Sequence, residues 1–212
     1  MSIEKIHWLG HASFRIDGKG AVVYIDPWKI AGGPRADVVL VTHEHFDHCS
    51  PEDVQKVAGE GTVIVAPEPC RPALEGAGAK LRTVAPGDAI EVGGVKVRAV
   101  AAYNTEPDRQ GFHPRDPQIP RVGYVVDVDG ASVYHTGDTD VIPEMEGIAP
   151  DIALVPVGGT YTMGAAQAAE AARLMGAAAV VPMHWGDIVG ERRDAERFAE
   201  LFDGTTHIID PE

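Results

Sequence analysis

Apolar positions along the chain recur mostly in short runs with the two-residue period of strands, and helical periodicity is confined to a few segments. Residues 5–9, 13–16 and 21–25 read as strands, separated by Gly10 and by Asp17-Gly18-Lys19-Gly20, a hairpin-type turn signal. Asp26-Pro27 closes the third run, and Asp37-Val38-Val39-Leu40-Val41 then reads as a buried strand. Ser50-Pro51-Glu52-Asp53 has the order of a helix start, with a capping hydroxyl, proline at the first helical position and acids in the first turn. Strands are expected at 62–65, 80–84 and 95–101, with a short helix near 68–76. The proline-rich stretch 103–120 has no periodicity and reads as a long loop. Runs at 122–128 and 131–135 form a hairpin around Asp129-Gly130. The last third alternates clearly: strand 151–157, alanine-rich helix 164–175, strand 178–182, helix 191–202 and strand 206–209.

Two β-rich halves, each finishing in helices, predict an α+β fold with two sheets face to face and helices outside. Strand-end loops then gather along one edge. No linker interrupts the pattern, so residues 1–212 are expected to form a single domain.

Composition adds limits. The 212 residues are 44% hydrophobic and 24% charged, an ordinary globular balance. A net charge of −14 without a basic run argues against a nucleic-acid partner. No apolar stretch approaches the roughly 20 residues of a membrane span, and Met1–Lys5 has no secretory pattern. Two cysteines make no disulfide framework, so a reducing cytoplasmic setting is expected, with Cys49 a buried thiol in preference to a ligand. Homo-oligomerisation stays open.

The chemistry concentrates in Thr42-His43-Glu44-His45-Phe46-Asp47-His48, directly after the buried strand. Imidazole and carboxylate are the donors that suit zinc, manganese or iron. So many in one short turn would crowd one another unless a cation gathered them. The spacing differs from the His-Glu-x-x-His helix of zinc proteases and suits a strand-end loop. Three further segments end apolar runs in the same way: Trp8-Leu9-Gly10-His11, Tyr134-His135-Thr136-Gly137-Asp138-Thr139, and Pro182-Met183-His184-Trp185.

With Ile25-Asp26-Pro27 and Pro156-Val157-Gly158-Gly159, these pieces resemble the metallo-β-lactamase superfamily. Within it they are similar to the small metal-dependent hydrolases related to L-ascorbate-6-phosphate lactonase. The resemblance runs from the first strand to about residue 190. It implies a four-layer αββα sandwich of two mixed β-sheets with metals at the edge where the sheets meet. It makes His43 and His45 ligands of a first metal and Asp47, His48 and His184 ligands of a second. Asp138 bridges both, and Asp26 orients the histidine loop from behind. Two divalent ions are implied, zinc first, with manganese, iron or nickel as alternatives.

The first metal usually takes a third histidine where this chain has Asn104. Asn104 coordinates weakly, His11 or His113 substitutes, or one metal alone binds tightly. Rigid placement at a strand end puts His11 ahead of His113. The expected reaction is attack of a metal-activated hydroxide on a small ester, lactone or phosphoester. Asp47 holds the hydroxide's hydrogen, and His135 stabilises developing charge. Arg109, His113, Arg115 and Tyr161 are the candidates for holding a small, anionic substrate. A phosphodiesterase, or a mononuclear iron oxidoreductase resembling persulfide dioxygenases, is the alternative.

Overall fold

Six strands from the first half of the chain pair in simple order: β1 (Ile6–Gly10), β2 (Ser13–Asp17), β3 (Val22–Ile25), β4 (Val38–Leu40), β5 (Val63–Pro67) and β6 (Lys80–Val84). These positions come from a computed structural model that describes residues 2–212. β1 to β3 are an antiparallel meander, and β3 to β6 run parallel. The second sheet repeats that plan with β7 (Ala89–Val92), β8 (Val95–Ala101), β9 (Val122–Val128), β10 (Ala131–His135), β11 (Ile152–Pro156), β12 (Ala179–Met183) and β13 (Thr205–Thr206). Its strands are antiparallel from β7 to β10 and parallel from β10 to β13.

The alternation of side chains in β3 to β5 explains the layering. Val23, Ile25, Val38, Leu40 and Val65 point into the core between the sheets, where they join Tyr124, Val126, Val133, Leu154 and Val181 of the second sheet. Tyr24, Val39, Val41 and Ile64 point the other way. There they meet Val54 and Val57 of helix α1 (Pro51–Val57) and Leu74 of the short α2 (Arg71–Leu74). Strands apolar on both faces need cover on both, which is the pattern of buried parallel strands. On the far side, α3 (Ala165–Met175) and α4 (Arg192–Leu201) lie against β11 and β12. The fold is therefore an αββα sandwich of two mixed sheets, as expected.

Local chemistry fixes the element ends. Ser50 Oγ accepts a 3.3 Å hydrogen bond from Asp53 N, with Pro51 first in α1. Asp129 and Gly130 turn the β9–β10 hairpin with φ of 52° and 80°, the paired positive angles of a tight hairpin turn.

Three details differ from the sequence expectation, the first being the last strand, expected over 206–209 and observed only at Thr205–Thr206. The helix expected over 68–76 is a 3-10 turn (Glu68–Cys70) followed by one α turn, because Pro69 and Pro72 withdraw backbone donors. Strand β7 has no counterpart in that expectation; it is an edge strand closed by Gly93-Gly94, with only alternate residues half-buried.

Candidate metal centre

His43, His45, Asp47 and His48 follow β4 on one side of the seam between the sheets, with His11 in the β1–β2 turn beside them. Across the seam stand His113 in the β8–β9 loop, Asp138 after β10 and His184 after β12. His11, Asp26 and His184 each occupy left-handed backbone, with φ of 52°, 45° and 60°. Such angles cost free energy in residues with a Cβ and cluster where a site needs a side chain aimed against its strand.

The donors fall into groups whose ligand atoms lie within 4.8 Å of one another: His43, His45 and His113; then His11, Asp47, His48 and His184; and His43, His48 and Asp138. In the first, His43 Nε2 is 3.1 Å from His45 Nδ1, which is 3.2 Å from His113 Nε2. In the second, His11 Nε2 is 3.0 Å from Asp47 Oδ2. Asp138 joins them, with Oδ2 at 3.1 Å from His184 Nε2 and 3.5 Å from His113 Nε2, and Oδ1 at 3.4 Å from His48 Nε2.

Behind these groups the hydrogen bonds assign the tautomers. Asp26, fully buried, accepts from Thr42 N at 2.7 Å, Thr42 Oγ1 at 2.6 Å and His48 Nδ1 at 2.7 Å. Thr42 Oγ1 has thus given its hydrogen away, so at 3.0 Å it accepts from His43 Nδ1. Both imidazoles carry hydrogen on Nδ1, so Nε2 is the nitrogen turned inward, where a metal requires a lone pair. Sequence reasoning found Asp26 but missed Thr42, whose place before the first histidine was the available signal.

Electrostatics agree with cation binding. Burial lowers the pKa of His43 well below its usual value, that of His113 to about 4, and those of His11 and His45 as well. These rings are neutral donors at pH 7. Burial also opposes charge on His48, but the Asp138 and Asp26 carboxylates raise its pKa well above the usual value. Without a metal, a proton on His48 holds the two acids together. Burial opposes charge on Asp138 too, yet His184 and His48 keep its pKa well below the carboxylate range. Asp47 is held at about 2: burial pushes it up, and the His11 hydrogen bond and the His48 charge overcome that.

The fit to a metal rests on buried atoms left without aligned partners: His48 Nε2, Asp138 Oδ1, both nitrogens of His184 and Nδ1 of His11. Buried polar atoms are nearly always satisfied. Here several that lack partners converge, and they are the donor types of zinc and its neighbours.

A family described as a beta-lactamase superfamily domain matches residues 5–184. A UPF0173 metal-dependent hydrolase of Thermoplasma acidophilum is 37% identical, over 98% of this chain and 95% of its own. The chain belongs to this family of metal-dependent hydrolases. A second UPF0173 hydrolase, from Methanoculleus marisnigri, is 36% identical over 96% of this chain and 91% of its own. A crystal structure from Parabacteroides distasonis superposes with a TM-score of 0.84 at 34% identity, covering 98% of this chain and 93% of that one. The UPF0173 chain is thus an enzyme, and its His and Asp groups are able to bind metal.

Several expected residues sit differently in this UPF0173 chain. His113, ranked behind His11, is the imidazole that shares the His43–His45 group, while His11 stands with Asp47, His48 and His184. Asn104 braces the loop: its Nδ2 donates to Arg109 O at 2.9 Å and Tyr161 O at 2.8 Å, and its backbone N to His113 O at 2.7 Å. His135, expected to be catalytic, has both ring nitrogens committed. Nε2 donates to Ala12 O at 2.9 Å and Nδ1 accepts from Gly137 N at 3.1 Å, so it pins the sheets together. Arg109 is buried, with its guanidinium donating to Asp140 Oδ1 at 2.6 Å and Gln167 Oε1 at 2.6 Å. Arg115 is exposed and pairs with Glu144 at 2.9 Å; Tyr161 packs edge-on against Phe112 at 4.8 Å. Cys49 is a free, buried thiol outside the donor groups.

Proposed function

We propose that the centre holds two divalent cations and hydrolyses a small ester, lactone or phosphoester. The convergence of His48 Nε2, His184 Nε2 and Asp138 Oδ1, buried and without aligned partners, carries this reading. His43, His45 and His113 would hold one cation, and His48, His184, Asp47 and His11 the other, with Asp138 between them. A donor set rich in imidazole with a few carboxylates suits zinc best, ahead of manganese, iron or nickel. Such ions supply Lewis acidity that makes water nucleophilic near neutral pH and polarises a substrate oxygen.

The chain's own residues supply orientation and proton handling. Asp47 is the most open acid of the cluster, with its side chain 12% exposed against 3% for Asp138 and none for Asp26. A carboxylate held at about 2 stays ionised, so Asp47 accepts a hydrogen bond from water and orients it without storing the proton. Asp26 and Thr42 keep the imidazoles turned inward. Trp28, edge-on to His11 at 5.2 Å and to the exposed Phe46 at 5.9 Å, makes an apolar lip beside the acid. The net charge of −14 favours a small substrate over a nucleic acid.

The test is metal analysis of purified protein, followed by a screen of lactones, esters, thioesters and phosphodiesters with each candidate metal. Hydrolysis should require metal and fall by several orders of magnitude in Asp138→Ala. Activity that survives thorough chelation would overturn the mechanism.

A further inference from the structure

Arg121 ends the long β8–β9 loop, is 8% exposed and is committed on one flank only. Its Nε donates to Glu44 Oε2 at 3.2 Å, and its Nη2 donates to Glu44 Oε1. The guanidinium is rigid and planar, so Nη1 lies on the flank away from that acid. Nη1 is buried without a hydrogen-bond partner. A buried donor left unmade costs free energy unless something outside the chain receives its hydrogens.

Arg121 lines a cavity of about 610 Å³ together with Arg98, Tyr103, Pro114, Arg115 and Glu144. Of the two acids there, Glu144 is ion-paired and Asp116 is held by a backbone N–H. Glu144 accepts from Tyr103 Oη at 2.9 Å and pairs with Arg115 at 2.9 Å, and Asp116 accepts from Gln118 N at 2.8 Å. Arg98 is exposed and makes no ion pair among the described residues. Arg121, whose charge is shared with Glu44 but whose Nη1 has no partner, and the unpaired Arg98 thus both line this cavity, in a chain whose net charge is −14. The cavity adjoins the metal centre by sequence on two sides. Pro114 of its lining follows His113, and Glu44, the partner of Arg121, lies between His43 and His45.

We propose that this cavity is an oxyanion-binding subsite, taking a phosphate, sulfate or carboxylate group between Arg121 Nη1 and Arg98. Forked guanidinium donors match such groups, and a charge-assisted bond at a buried donor is stronger than a neutral one. The oxyanion is either part of the substrate or a separate small anion. The binding proposal does not depend on turnover; assigning the anion to the substrate rests on the hydrolase reading.

The experiment titrates sulfate, a weak metal ligand, into metal-loaded protein at constant ionic strength, read by calorimetry. The wild type should bind it saturably. Arg121→Gln should weaken binding by about tenfold or more, as loss of a charge-assisted hydrogen bond does. Arg121→Gln also unpairs Glu44, so Arg98→Gln provides the control that keeps the fold, since that side chain is exposed and free. It should weaken binding by about threefold, the scale of one exposed charge. No saturable binding to the wild type, or unchanged binding in both variants, overturns the subsite. Once a substrate is known, competition by sulfate, with a raised KM and unchanged kcat in Arg98→Gln for anionic substrates alone, assigns the anion to the substrate. A sulfate effect on kcat without competition assigns it to a separate effector.

Discussion

The imidazoles of His45 and His113 meet at 3.2 Å although 68 residues of chain separate them. One comes from the loop after β4 and the other from the long loop between β8 and β9, so the triad with His43 forms only when the two sheets dock. If each group holds one cation, removing a ligand should empty one position selectively. His113→Ala should lower the bound metal by one ion per chain after equilibrium dialysis. His11→Ala should weaken the other position while leaving the His43–His45 one filled. Full metal content in His113→Ala would remove this histidine from the ligand set.

Asp26 lies behind the proposed ligands, yet it orients two imidazoles at once, His48 directly and His43 through Thr42. Substitution by Asn keeps the shape and removes the charge that His48 Nδ1 and Thr42 share. Metal affinity should fall about 10–100-fold, the usual scale for residues behind a ligand. Competition with a coloured chelator measures it, and an affinity within twofold of wild type would contradict the assigned tautomers.

The depressed and raised imidazoles predict opposite proton traffic. His43 and His113 are already neutral at pH 7, whereas His48 is protonated and must release its proton to bind a cation. Zinc binding at pH 7 should therefore release about one proton per chain at the His48 position, read by calorimetry in buffers of different ionisation enthalpy. Heat independent of the buffer would refute it.

The same proton affinities set the acid limit of the metal-free protein. His113 is held at about 4, below its unfolded value near 6.5, so in that interval the unfolded chain binds more protons. Stability should fall as pH drops from about 6.5 to 4, and a tenfold difference in proton affinity between the two states corresponds to about 1.4 kcal/mol. Asp47 works in the same direction lower down. Its stabilisation is full above about 3.9 and fades as pH falls toward about 2. His48 has the opposite sign, its contribution present below about 6.5 and lost as pH rises through its raised value. Chemical denaturation across pH 4 to 8 follows these slopes, and a flat profile below 6.5 would exclude the lowered His113 value.

Gly158 supports His184 by having no side chain. A Cβ there would meet the His184 carbonyl oxygen at 2.3 Å, and backbone cannot step aside cheaply. Gly158→Ala should lower stability by about 2 kcal/mol or more and weaken metal binding on the His184 side. Thermal denaturation with metal analysis checks both, and wild-type values in each would show that the strand end shifts freely.

Much of this was legible in the sequence because the informative pattern is local. Val38-Val39-Leu40-Val41 announces a strand buried on both faces, and the heptad after it announces metal chemistry at a strand end. Asp138 and His184 end buried strands in the same way. What failed depended on tertiary partners. Arg109 looks available until Asp140, 31 residues on, is seen to hold it. His135 looks like site chemistry until Ala12, 123 residues away, takes its hydrogen. His113 looks mobile because nothing in a proline-rich loop announces that Asn104 ties its backbone down. Arg121 gives no signal at all, since a lone arginine says nothing of which flank its partner will occupy.

The docking that assembles the donors would also make a bound cation structural. His11, His43, His45, Asp47 and His48 ride on the first sheet, and His113, Asp138 and His184 on the second. A cation shared between them would be a rivet through the seam, added to the apolar packing and to cross-seam hydrogen bonds such as that from His135 to Ala12 O. Metal starvation would then do more than silence the enzyme. It would loosen the molecule along one edge, lowering the free energy needed to open the seam locally.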